Sequence, residues 1–379
     1  MTSSSPKPVV DWSAAAELAG RLAPPGPRAS RGELADLVGG LRAAATDAVE
    51  HVLTTTRMTP AGGLHRVTGG PRDGAADLGP VLVVDRATWA LANTQVMAAM
   101  TEPVAAALGE EAVPTSEGAR LGGAFEVGGM LAVLAPRVLG QFDPYAQLGS
   151  GTGEGPGRLL LVAPNVLHAE RTMGVDPTDF RLWVCLHEQT HALQFATAPW
   201  LAAHLRDRVG ALMEDVTRTA VGLAKAPFLE KLATAGRTIA DVVSGAVHGT
   251  GVAPFEHMLT PDQKAELGSV TAVMALLEGH ADVMMDAVGP RVVRSVRQIR
   301  SKFEKRRDGE GAPGLDVVLR RLLGMDAKLA QYRDGAAFVR AVEREVGRDG
   351  LNAVWTSPDT LPTAAEIADA RAWISRVHG

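Results

Sequence analysis

The sequence is poor in cysteine, in aromatic side chains and in uninterrupted apolar runs, and each shortage closes a route. A single cysteine, Cys185, among 379 residues excludes an internal disulfide. The first residues, MTSSSPKPVVDWSAAAEL, hold no apolar stretch of the kind a secretion signal needs, so a cytoplasmic protein is expected. Nowhere do about 18 apolar residues run without a charge or a Gly/Pro cluster, which argues against a membrane span. Val127 to Leu139 comes nearest, but it is short and contains Gly128, Gly129 and Pro136. A net charge of -5 gives no global attraction to nucleic acid or anionic membrane, and neither is expected as a partner. Aromatics are 4% of the chain, whereas glycine occurs 41 times, a balance that suits helices packed closely through small side chains.

What is present is enough apolar content, 46%, to bury a large core. Residues 1–60 read as helices broken at Pro24-Pro25-Gly26-Pro27, and Gly62 to Gly79 reads as loop. Asp85 is an N-cap for a helix from Ala87 through Leu108, with an interruption predicted at Pro103. The apolar run Met130 to Pro136 fits helix or strand, and Leu148 to Arg158 has the composition of a flexible loop. Leu159-Leu160-Leu161-Val162-Ala163-Pro164 is a buried strand bounded by turn signals. Asp176-Pro177-Thr178-Asp179 starts a helix that reaches about Phe195, and Pro199 opens the next. Residues 214–258 read as helical with glycine interruptions. Thr260-Pro261-Asp262-Gln263 starts a long apolar helix ended by Gly289-Pro290. Arg291 to Arg307 is amphipathic and basic, Gly309 to Gly314 is a loop, and helices then run to the C-terminus with a break near Leu351 to Pro362. The expected fold is α+β and mostly α-helical. A helical N-terminal part, 1–155, and a catalytic part, 156–379, form one compact unit.

The stretch VCLHEQTHAL, Val184 to Leu193, carries the chemistry. Histidines at i and i+4 share a helix face, so His187 and His191 can reach one ion at about 2.0 Å from each nitrogen. Glu188 points beside them, where it can take a proton from a metal-bound water without being a ligand. A hydrolytic zinc site needs a third protein ligand. A histidine six residues beyond His191 with a midway glycine would serve, but those positions are Thr197 and Gln194. A carboxylate on a second helix is the other solution, and the long helix offers LEGHAD, Leu277 to Asp282. Unpaired in so apolar a segment, Glu278 would cost several kcal/mol, of order the buried-charge penalty, which a divalent cation removes. Asp282, one turn on, can accept the ring N–H of His187 or His191 and orient it. Gly279 and Ala281 would let the two helices approach. His280 lies about 200° around the helix from Glu278 and reads as a packed histidine rather than a ligand.

HEQTH followed by EGHAD resembles the gluzincin branch of zincin metallopeptidases, with HExxH giving two ligands and ExxxD the third and its orienter. More narrowly, the chain resembles a bacterial zincin-like family described as hydrolases associated with deazaflavin coenzyme biosynthesis. Val10-Asp11-Trp12, Val84-Asp85-Arg86, Leu139 to Asp143, Leu161 to Asn165, Phe180 to Trp183, Trp355 and Pro362 carry the likeness over nearly the whole chain. The resemblance implies a zincin-like fold and a metal; it carries over no substrate and no step in coenzyme synthesis.

The resulting expectation is a metallopeptidase holding Zn2+ on His187, His191 and Glu278, with Glu188 as general base and a peptide or protein as substrate. The strand near Leu159 to Val162 could align that peptide by edge pairing. Tyr332 is preferred over His248 and His257 as donor to the developing oxyanion, against the plainer reading of a tyrosine packed between helices. A catalytically silent, zinc-stabilised scaffold or binding protein is the alternative. A further rival is phosphate binding by Arg291, Arg294, Arg297 and Arg300, although such a stripe is usually a solvated face.

Overall fold

Capping side chains and prolines set where the helices begin. The computed structural model describes residues 10–66, 68, 73–108, 116–146, 157–225, 259–307 and 325–379, and these form an α+β structure that is mostly helical. Helix α1 (Trp12–Leu22) starts at Asp11, whose carboxylate accepts the N–H of Ala14, and α2 (Arg31–Thr56) starts in a capping box of Ser30 and Glu33. The segment expected to be loop holds a minimal hairpin, β1 (His65–Arg66) with β2 (Ala76–Asp77). Strand β3 (Val81–Val84) leads through the Asp85 cap into α3 (Arg86–Leu108). That helix continues through Pro103, where a break is predicted. One lost backbone hydrogen bond does not end a helix of 23 residues. The ambiguous run from Met130 is helical, as the end of α4 (Glu117–Leu134).

Next come β4 (Gly140–Asp143), β5 (Arg158–Val162), α5 (Ala163–Met173) and α6 (Pro177–Thr197). Helix α6 begins as expected, with the Asp176 side chain accepting the N–H of Asp179. Helices α7 (Trp200–Lys225) and α8 (Pro261–Ala287) follow, the latter opened by a Thr260–Gln263 capping box. The chain closes with α9 (Val296–Arg307), α10 (Met325–Leu351) and the short α11 (Ala364–Ala368) and α12 (Ala370–His378). The basic segment is thus helical only from Val296, and Arg291 and Arg294 precede the helix, so the expected stripe is not one helix face. The loop read at Leu148 to Arg158 lies, up to residue 156, outside the described residues. So do residues 226–258 and the loop at Gly309 to Gly314. Among the described residues, no helix is long and apolar enough to cross a membrane.

Three strands make the larger sheet in the order β3-β5-β4, with β5 parallel to β3 and antiparallel to β4. The chain therefore joins β3 and β4, from before residue 155, to a central strand that follows it. Leu159, Leu160, Leu161 and Val162 of β5 are all buried, as a central strand covered on both faces requires. Helix α6 runs through the main core, where Phe180, Leu186 and Leu193 pack in the same cluster as Leu41, Leu276 and Phe338.

Gly279 does not serve the approach of α8 to α6. A Cβ there would lie 2.2 Å from the carbonyl carbon of Gly335, and one on Gly335 would lie 1.9 Å from the Ala275 oxygen. The two glycines instead let α8 and α10 cross with their backbones touching, and α10 buttresses α8 from behind. Gly279→Ala should destabilise the chain by at least about 1–3 kcal/mol, the range for overpacking against a rigid neighbour. Gly39→Ala, in an exposed helical position with nothing within 4 Å of the new Cβ, should stabilise by about 0.5–1 kcal/mol. Urea denaturation of the two variants beside wild type checks both signs.

Candidate metal centre

The polar residues of α6 are fixed by backbone acceptors before any ligand is considered. Thr190 donates within the helix to Leu186 at 2.7 Å, and Gln189 donates to the Ala45 carbonyl of α2 at 2.9 Å, so α6 cannot rotate without leaving the buried Gln189 donor unmatched. His187 and His191, each half-buried, then face α8 from consecutive turns. Their Nε2 atoms lie 3.2 Å apart, with the rings edge to face. Glu278 meets both from α8, with Oε2 3.4 Å from His187 Nε2 and Oε1 3.7 Å from His191 Nε2.

These three are the group among the described residues whose donor atoms converge within 4.8 Å as an ion would require. Ligands at about 2.0–2.2 Å on a tetrahedral ion sit about 3.4 Å apart, and the observed 3.2, 3.4 and 3.7 Å bracket that edge. Two neutral-capable imidazoles and one carboxylate are also a donor set that suits a borderline divalent ion. The residues therefore fit a metal.

Glu188 is buried beside the pair. Burial pushes its carboxyl up to about 7, with the charge of His187 opposing the shift and that of Glu278 adding to it. The backbone N–H of Phe142 donates to it and holds part of the charge. Phe142 can do so because it stands opposite Leu159, whose own N–H is turned away to the Pro80 carbonyl. Pairs of this kind are not hydrogen-bonded to each other across an antiparallel ladder, and on the edge strand β4 the amide therefore points to the free edge. Gly140 completes the contact: a Cβ there would lie 2.7 Å from Glu188 Cγ, so only glycine lets β4 lie across the acid.

A cavity of about 690 Å³ opens over these residues. Its walls are β4, Val184 and Phe195 of α6, Leu205 of α7 and Met274 and Met285 of α8, with Tyr145 and Arg137 at the β4 side. The edge that borders it is β4. The expected strand, β5, has neighbours on both sides and offers no free edge, which corrects the assignment made from its apolar run.

The expected orienter, Asp282, lines the same cavity, but both of its oxygens take hydrogen bonds from Arg300 Nη1 at 3.1 Å. Arg300 of α9 also reaches Asp286 and lies over the Trp183 ring. Arg300, the last of the four arginines in the expected stripe, is thus an internal ion-pair partner. The inner nitrogen of His191, Nδ1, meets Gln194 Oε1 at 2.9 Å instead. By spacing alone, Gln194 is only the residue that stands where a midway glycine would be needed for a third histidine ligand. His280 is fully buried, edge-on to Trp355, and burial with the charges of Arg348 and His191 pushes it down to about 3, so it is a neutral packed ring as expected.

The backbone of Tyr332 lies in α10, while its side chain, like His248 and His257, lies outside the described residues. Tyr145 is the tyrosine that lines the cavity. Its hydroxyl donates to the Ala202 carbonyl at 3.3 Å, and burial pushes it up to about 12.

The sequence profile of the zincin-like metallopeptidases matches residues 10–374. A crystal structure of a protein from Chloroflexus aurantiacus, described as a candidate hydrolase with a novel fold, is similar at 28% identity and a TM-score of 0.58. The alignment covers 97% of this chain and 98% of that one. No match is found among curated proteins.

Without a metal, burial works against charge on His187, yet the hydrogen bond and charge of Glu278 hold it up to about 9. The ordinary value is 6.5, so the pair contributes stability that is complete below about 6.5 and is lost as pH rises through about 9. Thermal unfolding of the chelator-treated chain should show that loss, and Glu278→Gln should remove it.

Proposed function

The chain belongs to the zincin-like metallopeptidase family, and from that premise we propose that it is a zinc-dependent peptidase. The observation that carries the reading is the convergence of His187, His191 and Glu278 beside a buried acid, under an open strand edge. His187, His191 and Glu278 would hold the ion. When bound, zinc supplies Lewis acidity, which makes a water nucleophilic near neutral pH and polarises a carbonyl.

The chain's own residues supply the rest. Glu188, poised near 7 by burial, accepts the proton of the attacking water and returns it to the leaving amine. The Phe142 N–H keeps its carboxylate aimed between β4 and the two histidines. Strand β4 presents the Gly140 backbone along its free edge, where an extended peptide would pair. Phe195, Leu205, Met274 and Met285 line the cavity with apolar surface, which favours peptides with bulky apolar side chains near the cleaved bond.

Glu188→Gln separates the peptidase from a zinc-stabilised scaffold of the same fold. The variant should keep one zinc per chain while cleavage of a mixed-sequence peptide library falls by about 100- to 10,000-fold, the usual contribution of a positioned general base. A wild type that binds zinc and cleaves no peptide spared by the variant would leave the scaffold reading.

A further inference from the structure

Gln194 is fully buried one turn beyond His191 and makes three polar contacts from one amide group. Its nitrogen lies 2.9 Å from the Leu277 carbonyl oxygen and 3.0 Å from His280 Nδ1, and its oxygen lies 2.9 Å from His191 Nδ1. The orientation of the amide is dictated by its partners. A carbonyl oxygen can only accept, so the NH2 end of Gln194 must face Leu277. The oxygen end then faces His191, and since it too can only accept, the proton of a neutral His191 must sit on Nδ1. Its Nε2 is left with a lone pair, and that is the atom 3.2 Å from His187 Nε2 and 3.7 Å from Glu278 Oε1.

The second N–H of the amide points at His280 Nδ1, which must accept and therefore carries its own proton on Nε2. The contact to Leu277 has a separate consequence. Leu277 immediately precedes Glu278, so the same side chain that orients one ligand on α6 ties the backbone beside the third ligand on α8. Both N–H groups of the Gln194 amide and its oxygen are thereby engaged, while the Nε2 of His280, which then carries its proton, is buried with no partner among the described residues.

We propose that Gln194 is the positioning residue of the metal centre: it selects the His191 tautomer that can coordinate through Nε2 and sets the register of the Glu278 helix against the HExxH helix. Leucine has similar bulk and neither donor nor acceptor, so Gln194→Leu removes both functions with little change of volume. Neutral imidazole on its own favours the proton on Nε2, the tautomer that cannot coordinate through that atom. The consequence for metal affinity rests on the zinc reading; the tautomer belongs to the metal-free chain.

The test is a long-range 1H–15N correlation spectrum of the metal-free full chain labelled at histidine nitrogen, at a pH where His191 is neutral, with zinc affinity measured by chelator competition. The spectrum should place the proton on Nδ1 in wild type and shift it toward Nε2 in Gln194→Leu, and zinc should bind the variant about 10- to 100-fold more weakly, as for the loss of a partner that orients a ligand. A wild-type His191 protonated on Nε2 overturns the proposal, and so does a folded variant with unchanged zinc affinity. Should the variant not fold, the wild-type spectrum decides alone. A wild type with the Nδ1 proton that binds no zinc overturns the zinc reading instead and leaves the tautomer assignment standing.

Discussion

A carboxylate held between two imidazoles inside a helical core is an arrangement that the surrounding structure must enforce. Glu278 attracts a protonated His187, but two histidines on consecutive turns repel each other once both are charged, and burial disfavours every charged form. Glu278 stays within 3.7 Å of both rings because α6 and α8 are each anchored from behind. The Gln189 contact to Ala45 fixes the rotation of α6, and the Gly279–Gly335 backbone contact fixes the depth of α8. A divalent cation would take the place of the proton between donors already at the spacing it needs.

Around that trio, the neighbouring groups have distinct jobs. Glu188 faces β4, and its raised pKa follows from burial against a strand that only glycine allows so close. Asp282 faces α9, where Arg300 takes both of its oxygens and fastens that helix to the wall of the cavity. Gln194 faces α8 and links the two helices that carry the candidate ligands through one amide. The raised Glu188 carboxyl, the Arg300 clamp and the Gln194 amide are thus separate contacts made by different residues around the same trio.

Much of this was legible from residue types at fixed spacing. The start of α6 at Asp176 and of α8 at Thr260, the buried strand β5, and the pairing of HExxH with a downstream glutamate all depend on local caps or on periodicity, which a single chain displays. Other features depend on which partner a residue meets. Nothing in a run of four apolar residues says whether a strand is central or at an edge, so β5 was a natural but mistaken candidate for substrate pairing. Asp282 one turn after Glu278 looks like an orienter until Arg300, on another helix, is seen to occupy it. Gly279 invited a close approach, and the helix that uses it is α10. Gln194 carried a signal only in hindsight: a fully buried amide one turn past a ligand histidine must find partners at both ends.

The most direct measurement of the central claim is an anomalous difference map recorded at the zinc absorption edge from crystals of the zinc-loaded chain. A single peak within about 2.0–2.2 Å of His187 Nε2, His191 Nε2 and a Glu278 oxygen is the predicted result. A peak elsewhere, or an ion bound by the histidines with Glu278 turned away, would contradict it.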